Sequence, residues 1–181
     1  LENFNKDYGD ALYLVEERPD EDVWEEQASF GYPENILSTE DVIEEIHEHH
    51  DHIIDQNWVL RARLFDVVIG DWDRHDDQWR WAEFDTLNKT LYRPIPRDRD
   101  QAFGKYDGFI FSFVRQASPL VRPLRDFKPF QPRIQWSNFG ARSFDPTFLS
   151  AMSWDDWEQE IRFIQQHLTD TVIEKGVREA W

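Results

Sequence analysis

Two acidic segments hold the side chains best suited to chemistry in this 181-residue sequence. They are Gly70-Asp71-Trp72-Asp73-Arg74-His75-Asp76-Asp77-Gln78 and Pro96-Arg97-Asp98-Arg99-Asp100-Gln101. An oxygen-rich donor set of this kind suits a hard cation such as Mg²⁺ or Mn²⁺ better than Zn²⁺. The chain has no Cys, which excludes thiolate metal sites and disulfides and leaves the redox compartment open. If Asp71, Asp73, Asp76, Asp77, Asp98 and Asp100 meet, they repel one another unless a cation sits among them. One Asp to orient a hydroxyl, with an amide and a second Asp to hold metal, is also the equipment of phosphoryl transfer.

The elements around these segments decide whether they can meet. Trp79–Phe84 alternates in the manner of a strand, Asp85–Thr90 has turn composition, and Leu91–Ile95 is a second strand closed by Pro94 and Pro96. Together they predict a β-hairpin, which returns the chain to its starting end. Residues before Trp79 should therefore lie beside those after Pro96. Upstream, Ser38-Thr39-Glu40-Asp41 is a capping pattern. Apolar residues then recur from Val42 to Val68, predicting one long helix or two abutting ones over about Glu40–Val68, stopped by Gly70.

Leu1–Tyr32 reads as irregular, with a short apolar piece at Ala11–Val15, and Pro33 and Asn35 fall in a connection. Phe103–Phe144 is long, aromatic and Pro-rich without a clean period, as expected of a functional loop or one docked on a neighbour. Asp145-Pro146 reads as an N-cap followed by Pro, opening a short helix to about Ala151. Ser153–Asp156 is a second capping pattern. Trp157, Ile161, Ile164, Leu168 and Val172 then predict one amphipathic helix. The expected fold is α+β, mostly helical with one small hairpin, in a single domain over residues 1–181.

Composition sets further limits. The net charge is −17, from 37 acidic and 20 basic residues, which disfavours duplex nucleic acid and anionic membranes as partners. No apolar run approaches the ~20 residues of a membrane span, so this segment is not expected to insert. Nine Trp and fourteen Phe imply a ring-rich core or a large aromatic contact surface. The sequence opens without Met and reads as the continuation of a longer chain, so neighbouring domains are expected partners.

Gly70–Gln78, followed by Tyr92-Arg93-Pro94-Ile95-Pro96-Arg97-Asp98-Arg99-Asp100-Gln101-Ala102-Phe103-Gly104, resembles the CotH spore-coat kinases and, more distantly, the HipA and phosphoinositide kinases. The resemblance implies a kinase-like C-terminal lobe with Asp73 as catalytic Asp, beside His75. Gln78 stands where that pattern has a metal-binding Asn, and Asp98 or Asp100 where it has a metal-binding Asp. Arg74 and Arg97 would face the nucleotide phosphates, with Mg²⁺ (or Mn²⁺) and ATP as cofactors. Arg63–Asp66 through Gln78–Trp81 also resembles an uncharacterised region of large Bacteroidetes-type surface proteins that carry a metallophosphoesterase domain, which implies the cell envelope or periplasm. The likeness is close over about Gln56–Gly108. Nothing in Leu1–Asn35 resembles a glycine-rich loop or a lysine-bearing strand, so only half of such a site is expected here.

Plainer readings stand beside these. Arg74, Arg97 and Arg99 could pair with the acids in a buried network that ties hairpin to helix. His75 reads as a hydrogen-bonder beneath the loop. His47, His49, His50 and His52 could bind metal with Glu44, Glu48 or Asp51, although a solvated polar helix face is the simpler reading. Trp79 and Trp81 read as core under the sheet, and the arginines of Arg115–Arg142 as partners of the acidic helices. The leading function is an atypical kinase-like domain. The alternative is a non-catalytic pseudokinase or docking module of a larger bacterial surface protein.

Overall fold

A computed structural model describes residues 28–106, 118, 121, 123–124, 126–131 and 134–179. The Ala11–Val15 piece and Arg115, Arg122, Arg125 and Arg133 lie outside the described residues. The fold is α+β, as expected. In chain order come β1 (Asn35–Ser38), α1 (Thr39–Glu48), β2 (His52–Ile54), α2 (Gln56–Ile69), β3 (Trp79–Asp85), β4 (Thr90–Pro96), α3 (Phe144–Leu149), α4 (Trp154–His167) and α5 (Asp170–Glu179). Single helical turns occupy Ala28–Phe30, Asp76–Gln78, Ile134–Ser137 and Gly140–Arg142. No helix among the described residues is long and apolar enough to cross a membrane.

The expected hairpin forms, pairing Trp79 with Pro96 and Asp85 with Thr90. It is not alone, however. It forms the centre of a four-stranded sheet in the order β1-β3-β4-β2, with β1 antiparallel to β3 and β2 parallel to β4. β2 pairs only with Thr90–Tyr92, so Pro94 and Pro96 lie past its end, where no second strand needs their missing N–H. Of the two expectations for Glu40–Val68, one long helix or two abutting ones, the chain forms two helices, but they do not abut. His52-Ile53-Ile54 leaves the helical path to join the sheet edge, and Asp55 then caps α2 by accepting from the Trp58 N–H at 3.2 Å. Asn35, read as connection, opens β1.

Both Ser capping patterns form full boxes, at Ser38/Asp41 and Ser153/Asp156. Two details of the last third differ from expectation. Ser143, not Asp145, precedes α3, and the Asp145 carboxylate is taken by Arg63 at 2.7 Å. The final amphipathic helix breaks at Leu168, whose ψ of 69° is not helical, so Val172 belongs to α5.

The core lies between the sheet and the helices. Trp79 stacks on Phe144 with centroids 4.4 Å apart, and Trp81 meets Phe148 at 4.7 Å. Val42, Val59, Leu60 and Tyr92 complete it, all with no exposed surface. Trp81 also donates from its indole nitrogen to Thr39 Oγ1 at 3.1 Å, which satisfies its polar end at the start of α1.

Candidate functional site

The two acidic segments are joined end to end by backbone. As the hairpin requires, the Arg97 N–H donates to Gln78 O at 2.9 Å, so the first segment ends where the second begins. Farther along, the Phe103 N–H donates to Ile69 O at 2.8 Å, which brings the tail of the second segment back to the helix end that starts the first. That helix end is a Schellman-type stop. Gly70 adopts φ 74°, and the Asp71 N–H reaches back to Asp66 O at 2.9 Å. Left-handed backbone occurs at Asp98 within the second segment, φ 52°, and at Phe103 two residues past its end, φ 57°. Such backbone persists only where its surroundings hold it.

Asp66 supplies that hold. It is fully buried in the last turns of α2, and three guanidinium groups converge on its carboxylate. Arg63 Nη1 lies 3.1 Å from Oδ2 and Arg74 Nε 3.2 Å from Oδ2, while Arg99 reaches Oδ1 through Nη2 at 2.9 Å and Nε at 3.1 Å. Asp145 takes part of the Arg63 charge, and Asn138 accepts from Arg63 Nη2. Asp71 takes part of the Arg74 charge at 3.5 Å. Three cations thus face Asp66, Asp71 and Asp145, an approximate charge balance without which burial would be costly.

Arg74 is the pin of the first segment. Its guanidinium donates to Arg97 O and to Gln78 O at 3.1 Å, and it lies over the Trp79 ring at 4.7 Å. It therefore stitches both segments to the hairpin base while fully buried. Burial lowers its pKa, and Asp66 and Asp71 act against that fall. Arg97 is also buried. The two arginines that the resemblance sets against a phosphate are thus both buried; of Arg74, Arg97 and Arg99, which the plainer reading pairs with acids, Arg74 and Arg99 meet Asp66.

The remaining candidates have different surroundings. Asp71 is buried; desolvation pushes its pKa up to about 6, with Arg74 opposing the rise. Its Oδ1 accepts the Asp73 N–H at 3.4 Å, and its Oδ2 has no hydrogen-bond partner among the described residues. Asp73 is half-buried, and its carboxylate takes no hydrogen bond or ion pair among the described residues. His75 Nε2 lies 3.2 Å from Gln78 Nε2, and both residues are half-buried. Asp76 receives Ser143 Oγ at 3.4 Å, and its backbone oxygen accepts from Thr39. Asp98 is half-buried and Asp100 exposed. A polar cleft of about 510 Å³ opens beside His75, Asp76 and Asp77, bounded by Ser38, Thr39 and Arg80.

The hub residue, Asp66, carried no role in the sequence reading, and neither did Gly140. A Cβ on Gly140 would fall 2.5 Å from Trp72 O and 2.9 Å from Arg74 N, so the Gly140–Arg142 turn sits against the backbone of the first segment. The signal for Asp66 was present: Arg63 and Asp66, three apart on an otherwise apolar helix face, had to be paired inside.

A scan against protein-family models, a search of the curated proteins and a search of the solved structures each return no match to this chain.

Proposed function

We propose that this chain is the metal-holding half of an atypical kinase-like phosphotransferase. In this reading Asp73 orients the hydroxyl that attacks phosphate. Gln78 and Asp98 or Asp100 hold a divalent cation, Mg²⁺ or Mn²⁺, which when bound supplies charge neutralisation to the phosphate oxygens. The observation that carries the reading is Asp73 itself: its carboxylate has no partner among the described residues, while the loop around it is pinned by Arg74 and Asp71. A fixed loop presenting an uncommitted acid is an arrangement that positions a reactive group. Among the described residues, the carboxylates of the two segments form no tight cluster of three. Mg²⁺, which keeps several waters, does not need one.

Calorimetry with Mg²⁺ and Mn²⁺ tests this. Binding is expected at millimolar metal and should weaken in Asp98→Asn or Asp100→Asn. Absent heats, or heats unchanged in both variants, would defeat the reading.

A second reading, a non-catalytic docking module of a larger bacterial surface protein, is favoured by a separate observation. An apolar groove of about 410 Å³ runs between α2 and α4, lined by Trp58, Phe65, Pro94, Pro96, Phe163 and Ile164. The burial of Arg74 and Arg97 agrees with it. Normal metal binding with no nucleotide binding would favour this second reading.

A further inference from the structure

At the opposite end of the hairpin from the acidic segments, the chain between α1 and β2 gathers a different set of donors. His49 closes α1, Asp51 lies in the turn, and His52 opens β2 opposite Thr90 at the start of β4. Each offers one ligand atom, and these atoms lie within 4.8 Å of one another. Among the described residues, no other group of three His or acidic side chains comes so close. The two imidazole rings lie 4.6 Å apart and are tilted by 32°. Glu45, one turn back on α1, reaches both, with Oε2 3.8 Å from His49 Nε2 and 3.2 Å from His52 Nδ1. The Tyr92 hydroxyl lies 2.9 Å from His52 Nδ1 and anchors that ring to the sheet.

We infer that His49, Asp51 and His52 form a binding site for a borderline divalent metal ion of the Zn²⁺ class, with Glu45 supplying nearby negative charge and orienting the imidazoles. Two imidazoles and a carboxylate are a donor set for Zn²⁺, Co²⁺ or Ni²⁺ rather than for Mg²⁺. Donors around a tetrahedral ion lie roughly 3.4 Å apart, as bonds of about 2.1 Å require. The present spacing needs only a small closure. His49 and Asp51 are exposed and can make it by side-chain rotation, while His52 is the fixed point. His52, joined to Glu45 and Tyr92, has the partnered imidazole typical of metal sites. An ion here clamps the end of α1 to the sheet edge. Thr90 and Pro96 bracket β4, so this site stands about 20 Å along the strand from the acidic segments, at ~3.3 Å per residue. It is independent of the proposed phosphotransfer site.

Zn²⁺ titration of the 181-residue chain by calorimetry, repeated with Co²⁺ by visible absorption, tests the inference. One ion per chain is expected, with a Co²⁺ spectrum showing nitrogen coordination. His49→Ala and Asp51→Ala should each weaken binding at least about tenfold, the lower end of what losing a supporting partner costs in metal sites. His47→Ala/His50→Ala, which removes the neighbouring histidines but none of the proposed ligands, should leave affinity unchanged. Absence of Zn²⁺ binding at millimolar concentration would overturn the assignment. So would equal weakening by the His47/His50 variant, which would indicate diffuse attraction to a His-rich surface. Asp98→Asn should not alter Zn²⁺ affinity, so failure here is distinguishable from failure of the phosphotransferase reading.

Discussion

Arg74 Nε lies 3.2 Å from Asp66 Oδ2 with both side chains fully buried, and this pair joins the catalytic candidate loop to the helix that precedes it. Asp66 also takes Arg63 and Arg99, so its charge is shared among three cations. Replacing Asp66 with Asn would leave those guanidiniums facing only Asp71 and Asp145. Breaking a buried ion pair from one side costs about 3–5 kcal/mol, so Asp66→Asn should lose that much in urea denaturation. A loss below ~1 kcal/mol would mean the network is hydrated and does not organise the loop.

Asp71 should give the protein a distinctive pH dependence. Its folded pKa is raised to about 6 against an ordinary carboxylate value near 3.8, chiefly by burial. The folded state therefore holds this proton more tightly than the unfolded chain does. The stabilising contribution is full below about pH 4 and is lost as pH rises through about 6. Asp71→Asn removes the titration, so the stability difference between variant and parent should shift in the variant's favour by roughly 2–3 kcal/mol between pH 4 and pH 7.5. Denaturation curves at both pH values measure it. Parallel profiles would contradict the buried, charge-averse environment described here.

Gly140→Ala and Gly176→Ala form a contrasting pair. The Gly140 Cβ position is blocked by Trp72 O and Arg74 N, backbone atoms that cannot rotate away. A methyl group there should cost about 1–3 kcal/mol and displace the Asp73 loop. Gly176 lies within α5 with nothing within 4 Å, so its Ala variant should gain about 0.5–1 kcal/mol. Thermal melts of the two variants should move in opposite directions.

Much of the fold was legible because its signals were local. Alternation over Trp79–Phe84 and turn chemistry after Asp85 specify a hairpin without help from the rest of the chain. Ser38 and Ser153 specify helix starts in the same way. β2 escaped because Ile53 and Ile54 continue the apolar rhythm of the flanking helices, and three residues are too few to establish a period of their own. The break at Leu168 was hidden similarly, since Leu168 and Val172 keep a four-residue step across it. At the candidate site, strand pairing in the hairpin dictates which segments meet, but local sequence does not dictate which way each side chain turns. Arg74 points inward because the buried Asp66 and Asp71 carboxylates demand a cation, and the Arg97 and Gln78 carbonyls accept its N–H groups. That demand arises only in three dimensions.

In the function proposed above, the acidic end of the hairpin holds a divalent ion that brings nucleotide phosphate to a net-negative protein. Without metal, the −17 charge repels a nucleotide tetraanion. Turnover from this chain alone should be slow or absent, since cations on the far side of the phosphate are not recognisable in it. Binding is therefore the sharper readout. The most direct measurement is Mn²⁺ paramagnetic resonance with and without ATP, in a His49→Ala/Asp51→Ala background that silences the histidine cluster. A protein-bound Mn²⁺–nucleotide signal is expected, weakening at least about tenfold in Asp73→Asn and in Asp98→Asn/Asp100→Asn, the loss of one charged contact being worth ~1.5–3 kcal/mol. A signal indifferent to these substitutions, or none at millimolar Mn²⁺ and ATP, would contradict it.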